Sequence, residues 1–226
     1  MTTPAFAPDP APAPPMRPWF RLAHVTTRLL YECLFNFRVH GAENIPPGGG
    51  VLLACNHVSF LDPHAVGAAC PRETCFLARK TLFGNGPRAA LLRSWNAVPV
   101  DLSGKPDIAG LKAIMDRLRR GYAVTLFPEG TRSRDGGFQQ AKPGVGLLVA
   151  KAGVPVVPVR MFGAYEVWPR NQKLPHRGQV DIAFGKPARY DAVVANARAK
   201  GVAAMKDLYQ QIADDVLERI KALRLD

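Results

Sequence analysis

The chain has 226 residues, of which 47% are hydrophobic, so it is long enough for one domain with a substantial core. It carries 30 Lys and Arg against 18 Asp and Glu, and the net charge of +12 favours an anionic partner, such as a phosphorylated substrate or an anionic membrane surface. The sequence contains no zinc-finger or RNA-recognition motif, so we expect no nucleic-acid partner.

The first two predicted segments differ in composition. Residues 1–18 are rich in proline and alanine, cannot bury a core, and are predicted to form a disordered tail without the features of a signal peptide. Residues 19–37 carry apolar side chains at three- and four-residue steps, which predicts an amphipathic helix. Charged residues interrupt this stripe, whereas a helix that spans a membrane needs about 20 mostly apolar residues.

Two roles are open for the helix over residues 19–37. Its apolar stripe can pack against the body of the domain, which is the default for such a stripe. Alternatively, the helix lies in the headgroup region of a membrane, with Trp19, Phe20, Leu29 and Phe35 as anchors.

From residue 38 to residue 226, short apolar strands alternate with helices, which predicts one α/β domain whose sheet is covered by helices on both faces. Strands are predicted at residues 38–41, 51–55, 74–78, 97–101, 123–127, 154–159 and 179–184. Helices are predicted at residues 63–70, 86–95, 107–120, 142–151 and 203–223. Residues 163–178 are predicted to form a loop whose basic and aromatic residues suit the rim of a substrate site or a membrane surface.

The cysteines give no sign of a metal site. Cys33, Cys55, Cys70 and Cys75 lack the paired spacing of zinc ligands. We expect them to be reduced thiols in a cytosolic compartment. Nothing beside them would activate a thiol, so a catalytic cysteine is not favoured.

The first candidate catalytic residues follow the predicted strand 51–55. The pair Asp62-Pro63 predicts a helix N-cap with proline at the first helical position. His57 then lies on a short turn at the carboxyl end of a strand, where α/β proteins bind ligands. Asp62 can fix the imidazole through Nδ1 and leave Nε2 free as a general base. On this stretch alone, a simple helix cap and a turn histidine remain open.

A second polar stretch, residues 127–133, follows the predicted strand 123–127. Gly130 allows the backbone to approach a ligand closely. Arg132 offers a planar guanidinium that suits a phosphate. The alternative for this stretch is a salt-bridged loop between a strand and a helix.

Taken together, three stretches resemble the glycerolipid acyltransferase family, which contains the lysophosphatidic acid acyltransferases and their relatives. They are Asn56-His57-Val58-Ser59-Phe60-Leu61-Asp62, Phe127-Pro128-Glu129-Gly130-Thr131-Arg132-Ser133 and Val154-Pro155-Val156-Val157-Pro158-Val159. The resemblance covers about residues 38–190. It implies an α/β fold with a mixed, mostly parallel sheet flanked by helices, and an N-terminal amphipathic helix that binds membranes.

The resemblance also implies an activity: transfer of an acyl chain from acyl-CoA or acyl-carrier protein to the free hydroxyl of a lysophospholipid. The expected acceptor is 1-acylglycerol-3-phosphate (lysophosphatidic acid), which gives phosphatidic acid. No metal or cofactor is expected. The expected location is the cytoplasmic face of the cell membrane, as a peripheral protein.

The resemblance assigns roles to single residues. His57 and Asp62 become the catalytic general-base pair, and Glu129 is expected to hydrogen-bond the glycerol. The other expected substrate-binding residues are Gly130, Thr131, Arg132, Arg79 and Lys80. The N–H groups around Gly130, or near Ser59, are candidates for stabilising the oxyanion.

The chain departs from the family pattern at one point, and other functions stay open. Where the family usually has an Asp-Arg pair, this chain has Asp101 followed by Leu102, with Lys105 nearby. A different lysolipid acceptor is therefore open. Two further alternatives are a hydrolase that uses water, or Ser59 as nucleophile, and a non-catalytic module that binds anionic lipids.

Overall fold

The computed structural model describes residues 12–101 and 107–225. Residues 1–11, most of the predicted tail, and Leu102 and Lys105 lie outside the described residues. The remainder of the predicted tail is fixed to the domain, since Pro12 forms a β-bridge with Gly48. The guanidinium of Arg17 lies 2.7 Å from a carboxylate oxygen of the buried Glu73.

The helices are α1 (Pro18–Phe35), α2 (Asp62–Ala69), α3 (Pro87–Ser94), α4 (Ile108–Arg119), α5 (Pro143–Ala152), α6 (Ala164–Val167), α7 (Asp191–Lys200) and α8 (Val202–Ala222). The strands are β1 (Arg38–His40), β2 (Val51–Cys55), β3 (Thr74–Arg79), β4 (Ala97–Val100), β5 (Ala123–Leu126), β6 (Val156–Phe162) and β7 (Asp181–Phe184). Short 3-10 turns cover Ala42–Asn44 and Lys80–Leu82.

The seven strands form one mixed sheet in the order β1-β7-β6-β2-β5-β3-β4. The five strands β6, β2, β5, β3 and β4 are parallel, and β7 runs antiparallel to β6 with β1 parallel to β7. Strand β2 is buried at all five positions, as expected of a continuous apolar run in the centre of a sheet with both faces covered. The predicted mixed, mostly parallel sheet is confirmed.

Helices cover both faces of this sheet. On one face, Tyr31 and Phe35 of α1 and Val66 of α2 join a core cluster with β2 and β6. On the other face, side chains of α4, α5, α7 and α8, among them Ile114 and Val216, form a second cluster. The sheet is thus the middle layer of three, and its strand ends remain available for a binding site.

Helix α1 packs one face on the domain and exposes another apolar face. Phe20 and Phe35 are buried, so their assignment as membrane anchors is wrong: these side chains belong to the packing face. Trp19 and Leu29 are each 56% exposed. They share the outer face with Leu22, Val25 and Leu30. None of the helices in residues 12–101 and 107–225 is both long and apolar enough to cross a bilayer.

Some predicted elements differ in their ends and in their roles. Helix α2 begins at Asp62 itself, and the Asp62 side chain makes no N-cap hydrogen bond but turns back to the preceding loop. Strand β6 extends to Phe162. Helix α7 was not predicted, because Asp191–Lys200 is mostly alanine and charged residues, and only Val194 and Ala197 are buried.

Helices α5 and α8 approach each other closely at Gly146. A Cβ at this position would lie 1.8 Å from the carbonyl oxygen of Tyr209, so Gly146→Ala must push the two helices apart. We expect a loss of about 1–3 kcal/mol in the free energy of unfolding, as in overpacked cores, measured by urea denaturation.

Gly144→Ala is the matched control on the same helix, since a Cβ there meets nothing within 4 Å. We expect it to be neutral or to stabilise by up to about 1 kcal/mol through helix propensity. Equal urea midpoints for the two variants would contradict the packing described for α5 and α8.

Candidate active site

The sheet order brings the two polar stretches together. Strands β2 and β5 are direct neighbours in parallel register, with Ala54 opposite Leu126, so their following loops leave the same sheet edge side by side. The ends of β3 and β6 lie at the same edge because these strands flank the pair in the same direction. The candidate site is therefore at the carboxyl edge of the parallel strands, as expected for an α/β protein.

His57 and Asp62 form a hydrogen-bonded pair at this edge. The imidazole Nδ1 lies 2.8 Å from Oδ2 of Asp62, whose side chain is completely buried. The same oxygen accepts the backbone N–H groups of Val58 at 2.7 Å and Ser59 at 2.8 Å. Because a carboxylate is the partner of Nδ1, that nitrogen carries the proton and Nε2 keeps its lone pair. The pair has the geometry of a general base with its orienting carboxylate.

Two further contacts fix the histidine. The ring of Phe127 stacks on the imidazole with centroids 4.0 Å apart and planes 19° from parallel. The side chain of Asn56 accepts the N–H of Met161 at 2.7 Å and donates to its carbonyl at 3.3 Å. Asn56 thus ties the end of β2 to β6, immediately before His57. Sequence reasoning gave no role to either contact, since both depend on long-range neighbours.

Glu129 joins the two loops from a buried position. It is 1% exposed, and its Oε1 accepts the N–H of His57 at 3.1 Å while Oε2 accepts the N–H of Gln139 at 2.9 Å. Burial raises the pKa of this carboxyl group, and the two N–H groups oppose that rise. The carbonyl of His57 in turn accepts the N–H of Ser133 at 2.7 Å. This geometry favours a positioning role for Glu129 over a contact with glycerol.

The N–H groups of Gly130, Val58 and Ser59, which were candidates for stabilising the oxyanion, already donate hydrogen bonds within the protein. Gly130 has a positive φ of 70°, a conformation that favours glycine. Its N–H donates to the carbonyl of Phe127 at 3.0 Å and closes a turn. The neighbouring Thr131 is half-buried. The N–H groups of Val58 and Ser59 are held by Asp62.

Ser59 is unsuited to act as a nucleophile. It is 0% exposed, its hydroxyl donates to the carbonyl of Trp168 at 2.8 Å, and it accepts the N–H of Leu61 at 3.1 Å. A hydrolase mechanism through Ser59 is therefore disfavoured. Burial also raises the pKa of the thiols of Cys70, to about 11, and Cys75, to about 12, so these cysteines are poor nucleophiles at neutral pH.

The guanidinium of Arg132 lies against the loop that carries His57 and Asp62. Its guanidinium carbon is 3.5 Å from the centre of the Phe60 ring, and its Nη1 is buried without a hydrogen-bond partner among the described residues. Burial and then the charge of Arg170 lower the pKa of Arg132, with a smaller contribution from Arg79, while Asp62 opposes the shift. The structure thus brings Arg79 and Arg170 into the electrostatic surroundings of Arg132.

Lys80 is placed differently from Arg79. The N–H groups of Gly110 and Asp101 hold the pKa of Asp107 below its usual value, and the charge of Lys80 adds to this effect. Arg79 is the last residue of β3, and Lys80 begins the 3-10 turn that follows. Both residues predicted to contact a phosphate therefore lie at the carboxyl edge of the sheet.

A largely apolar cavity of about 520 Å³ opens beside the loop after β5. It runs between the ends of β3, β4 and β5 and the helices α4 and α5. Its apolar lining includes Leu77, Leu111, Ile114, Leu126, Phe127, Val145 and Leu148. Lys142 and Lys151 also line it. Since Phe127 both stacks on His57 and lines the cavity, the cavity adjoins the His57–Asp62 pair.

Comparison with proteins of known structure identifies the fold. The crystal structure of PlsC, a 1-acyl-sn-glycerophosphate acyltransferase from Thermotoga maritima, aligns with a TM-score of 0.68 and 24% sequence identity over 92% of this chain and 81% of that chain. The likeness shows that both have the same α/β architecture.

Relatives in sequence carry a common name. A chloroplast 1-acyl-sn-glycerol-3-phosphate acyltransferase of Arabidopsis thaliana is 28% identical over 77% of this chain and 50% of its own length. A protein of the same name from Bacillus subtilis is 25% identical over 82% of this chain and 90% of its own length. This chain thus spans about half the length of the Arabidopsis relative and of a similar one from Brassica napus.

The family model described as Acyltransferase matches residues 36–162, which contain His57, Asp62 and the loop after β5. This match covers more than half of the 226 residues, and it places both polar stretches inside the family region. The chain therefore belongs to the acyltransferase family.

Proposed function

We propose that the protein transfers an acyl chain from acyl-CoA or acyl-carrier protein to the free hydroxyl of lysophosphatidic acid, which yields phosphatidic acid. The observation that carries the proposal is the 2.8 Å hydrogen bond from His57 to Asp62, in a loop whose Phe60 ring contacts the guanidinium of Arg132. The names of the relatives support the acceptor, because they are 1-acyl-sn-glycerol-3-phosphate acyltransferases.

The proposed reaction uses His57 as the base and then as the acid. Nε2 removes the proton of the acceptor hydroxyl as its oxygen attacks the thioester carbonyl, and Asp62 stabilises the imidazolium that forms. The tetrahedral intermediate collapses, the carbon–sulfur bond breaks, and the leaving thiolate takes the proton from the imidazolium. The chemistry requires no metal, cofactor or covalent enzyme intermediate.

In this proposal, both substrates bind next to the His57–Asp62 pair. The phosphate of the acceptor binds Arg132 and Arg79, since guanidinium groups form charge-assisted hydrogen bonds with phosphate oxygens. The apolar cavity beside Phe127 receives the acyl chain of the donor, and Lys142 and Lys151 offer positive charge to the donor's phosphates. Gly130 lines this same cavity, and the half-buried Thr131 lies between it and Arg132 in the chain.

The outer face of α1 provides the membrane contact in this proposal. It presents Trp19, Leu22 and Leu29 to solvent, and the net charge of +12 attracts anionic headgroups. The enzyme then works as a peripheral protein on the cytoplasmic face of the membrane, where its lipid acceptor lies.

The first test of the proposed function compares variants of the pair. With lysophosphatidic acid and acyl-CoA, the wild-type protein should release thiol, and His57→Ala should lower kcat by about 100-fold or more, as expected for loss of a general base. Asp62→Asn should also lower kcat, because it removes the charge that orients the imidazole. Thiol release is followed with a chromogenic thiol reagent.

A second His–Asp pair gives the control. His40 Nε2 and Asp181 Oδ1 are also 2.8 Å apart, but they lie on the edge strand β1 and its neighbour β7, three strands away from β2 in the case of β1. His40→Ala should keep the wild-type kcat. Thiol release that does not depend on the acceptor would indicate a thioesterase instead, and lipid binding without turnover would indicate a binding module.

A further prediction concerns the donor cavity. Gly144 lines it, and a Cβ there meets nothing within 4 Å, so Gly144→Phe should fold and partly fill the cavity. The variant should lower kcat/KM for long-chain acyl-CoA about tenfold more than for short-chain acyl-CoA, given about 0.8 kcal/mol for each buried methylene that is displaced. An equal change for all chain lengths would place the acyl chain elsewhere.

The membrane role of α1 is tested with the double variant Leu22→Glu, Leu29→Glu. Vesicles that contain phosphatidylglycerol should bind it at least about tenfold more weakly than the wild type in a sedimentation assay, because two apolar contacts are replaced by charges that repel the surface. Val202→Glu, on an exposed valine of α8, is the matched control and should bind normally. Equal binding of all three proteins would exclude α1 as the membrane contact.

A further inference from the structure

We propose that Arg170 is a further phosphate ligand beside Arg132 and Arg79, and that these three guanidinium groups select an acceptor with a phosphate monoester over a phosphodiester. The inference rests on the proposed function and specifies the acceptor headgroup. It concerns a residue outside both polar stretches and outside the matched family region, residues 36–162.

The backbone at Arg170 is held firmly to the catalytic loop. Arg170 lies in a turn closed by the N–H of Gln172, which donates to the carbonyl of Pro169 at 3.3 Å. The indole N–H of Trp168 donates to the carbonyl of Gln172 at 3.2 Å, on the other side of the turn. Trp168 therefore fixes the turn that presents Arg170.

Trp168 is itself attached to the loop between His57 and Asp62. Its carbonyl accepts the hydroxyl of the buried Ser59 at 2.8 Å. The centre of its ring lies 5.1 Å from that of the Phe60 ring, and the guanidinium of Arg132 also contacts the Phe60 ring. Ser59 and Phe60 thus attach Trp168, two residues before Arg170, to the loop that Arg132 also contacts. The backbone near Arg170 therefore has a fixed position relative to the catalytic pair.

None of the ion pairs in the part of the chain that the structure describes involves Arg79, Arg132 or Arg170. The charge of Asp62 acts on Arg132 in the opposite sense to the charges of Arg170 and Arg79. Arg132 also keeps one buried nitrogen, Nη1, without a partner among these residues. The repulsion between these positive charges, which Asp62 offsets only in part, disfavours the empty site. An anion bound between them relieves that repulsion and supplies the missing hydrogen-bond acceptor.

The chemistry of the phosphate decides which anion fits best. A phosphate monoester carries about −1.5 to −2 charges at pH 7 and three terminal oxygens, enough to accept from three guanidinium groups. A phosphodiester has a single charge and two terminal oxygens, and its second substituent occupies the place of one donor. A site with three arginines therefore favours lysophosphatidic acid over lysolipids with larger headgroups.

The test measures steady-state kinetics with a short-chain lysophosphatidic acid that stays monomeric, so that membrane binding does not enter. Arg170→Gln should raise the KM for this acceptor about tenfold, as expected for loss of one charge-assisted hydrogen bond, with kcat within about twofold of wild type. Arg170→Lys should recover part of the affinity, since it restores the charge without the planar fork. Lys173→Gln, in the same loop, should leave the KM unchanged.

A second ligand separates recognition of the phosphate from a structural effect. The monomethyl ester of the same acceptor is a phosphodiester, and its inhibition constant should change by less than about threefold in Arg170→Gln. Equal changes for the two ligands, a KM within about twofold of wild type, or the same effect in Lys173→Gln would overturn the inference. Loss of vesicle binding in Arg170→Gln with an unchanged KM would assign Arg170 to the membrane surface instead. Absence of thiol release in the wild-type protein would refute the proposed function itself.

Discussion

The site depends on the hydrogen bonds that one buried carboxylate accepts from its own loop. Oδ2 of Asp62 accepts two backbone N–H groups as well as Nδ1 of His57, so the same oxygen shapes the turn and orients the imidazole. Asp62 is the first residue of α2, and β2 ends at Cys55, so a rigid helix and a rigid strand bracket the turn. Replacing Asp62 therefore removes both the hydrogen bonds that shape the turn and the one that orients the imidazole.

A second buried carboxylate, that of Glu129, connects this turn to the next strand. Since β2 and β5 are neighbours, one side chain can bind the N–H of His57 and the N–H of Gln139 in its own loop. From the same loop, Phe127 stacks on the imidazole and Arg132 contacts the Phe60 ring. The two polar stretches therefore form one unit, in which buried carboxylates hold the backbone around the imidazole and the guanidinium.

The sequence indicated the strands, most helices and both polar stretches, because each of these depends on local patterns such as the apolar run of β2. The order of the strands depends on long-range pairing, so the direct adjacency of β2 and β5 became visible only in three dimensions. Phe20 was wrongly predicted to be a membrane anchor, because an apolar stripe does not show which of its residues pack against the core. The role of Glu129 and the position of Arg170 depend on contacts between distant loops, which no spacing in the sequence encodes.

The hydrogen bond to Asp62 sets the tautomer of His57, so that Nε2 is the free base. Nitrogen-15 NMR of the imidazole, recorded at about pH 8 where an ordinary histidine is neutral, measures this directly. In the wild-type protein, we expect Nδ1 to carry the proton and Nε2 to have the chemical shift of an unprotonated nitrogen, and we expect Asp62→Asn to lose this preference. A proton on Nε2 in the wild-type protein, or a tautomer that does not change in Asp62→Asn, would show that Asp62 does not set the tautomer.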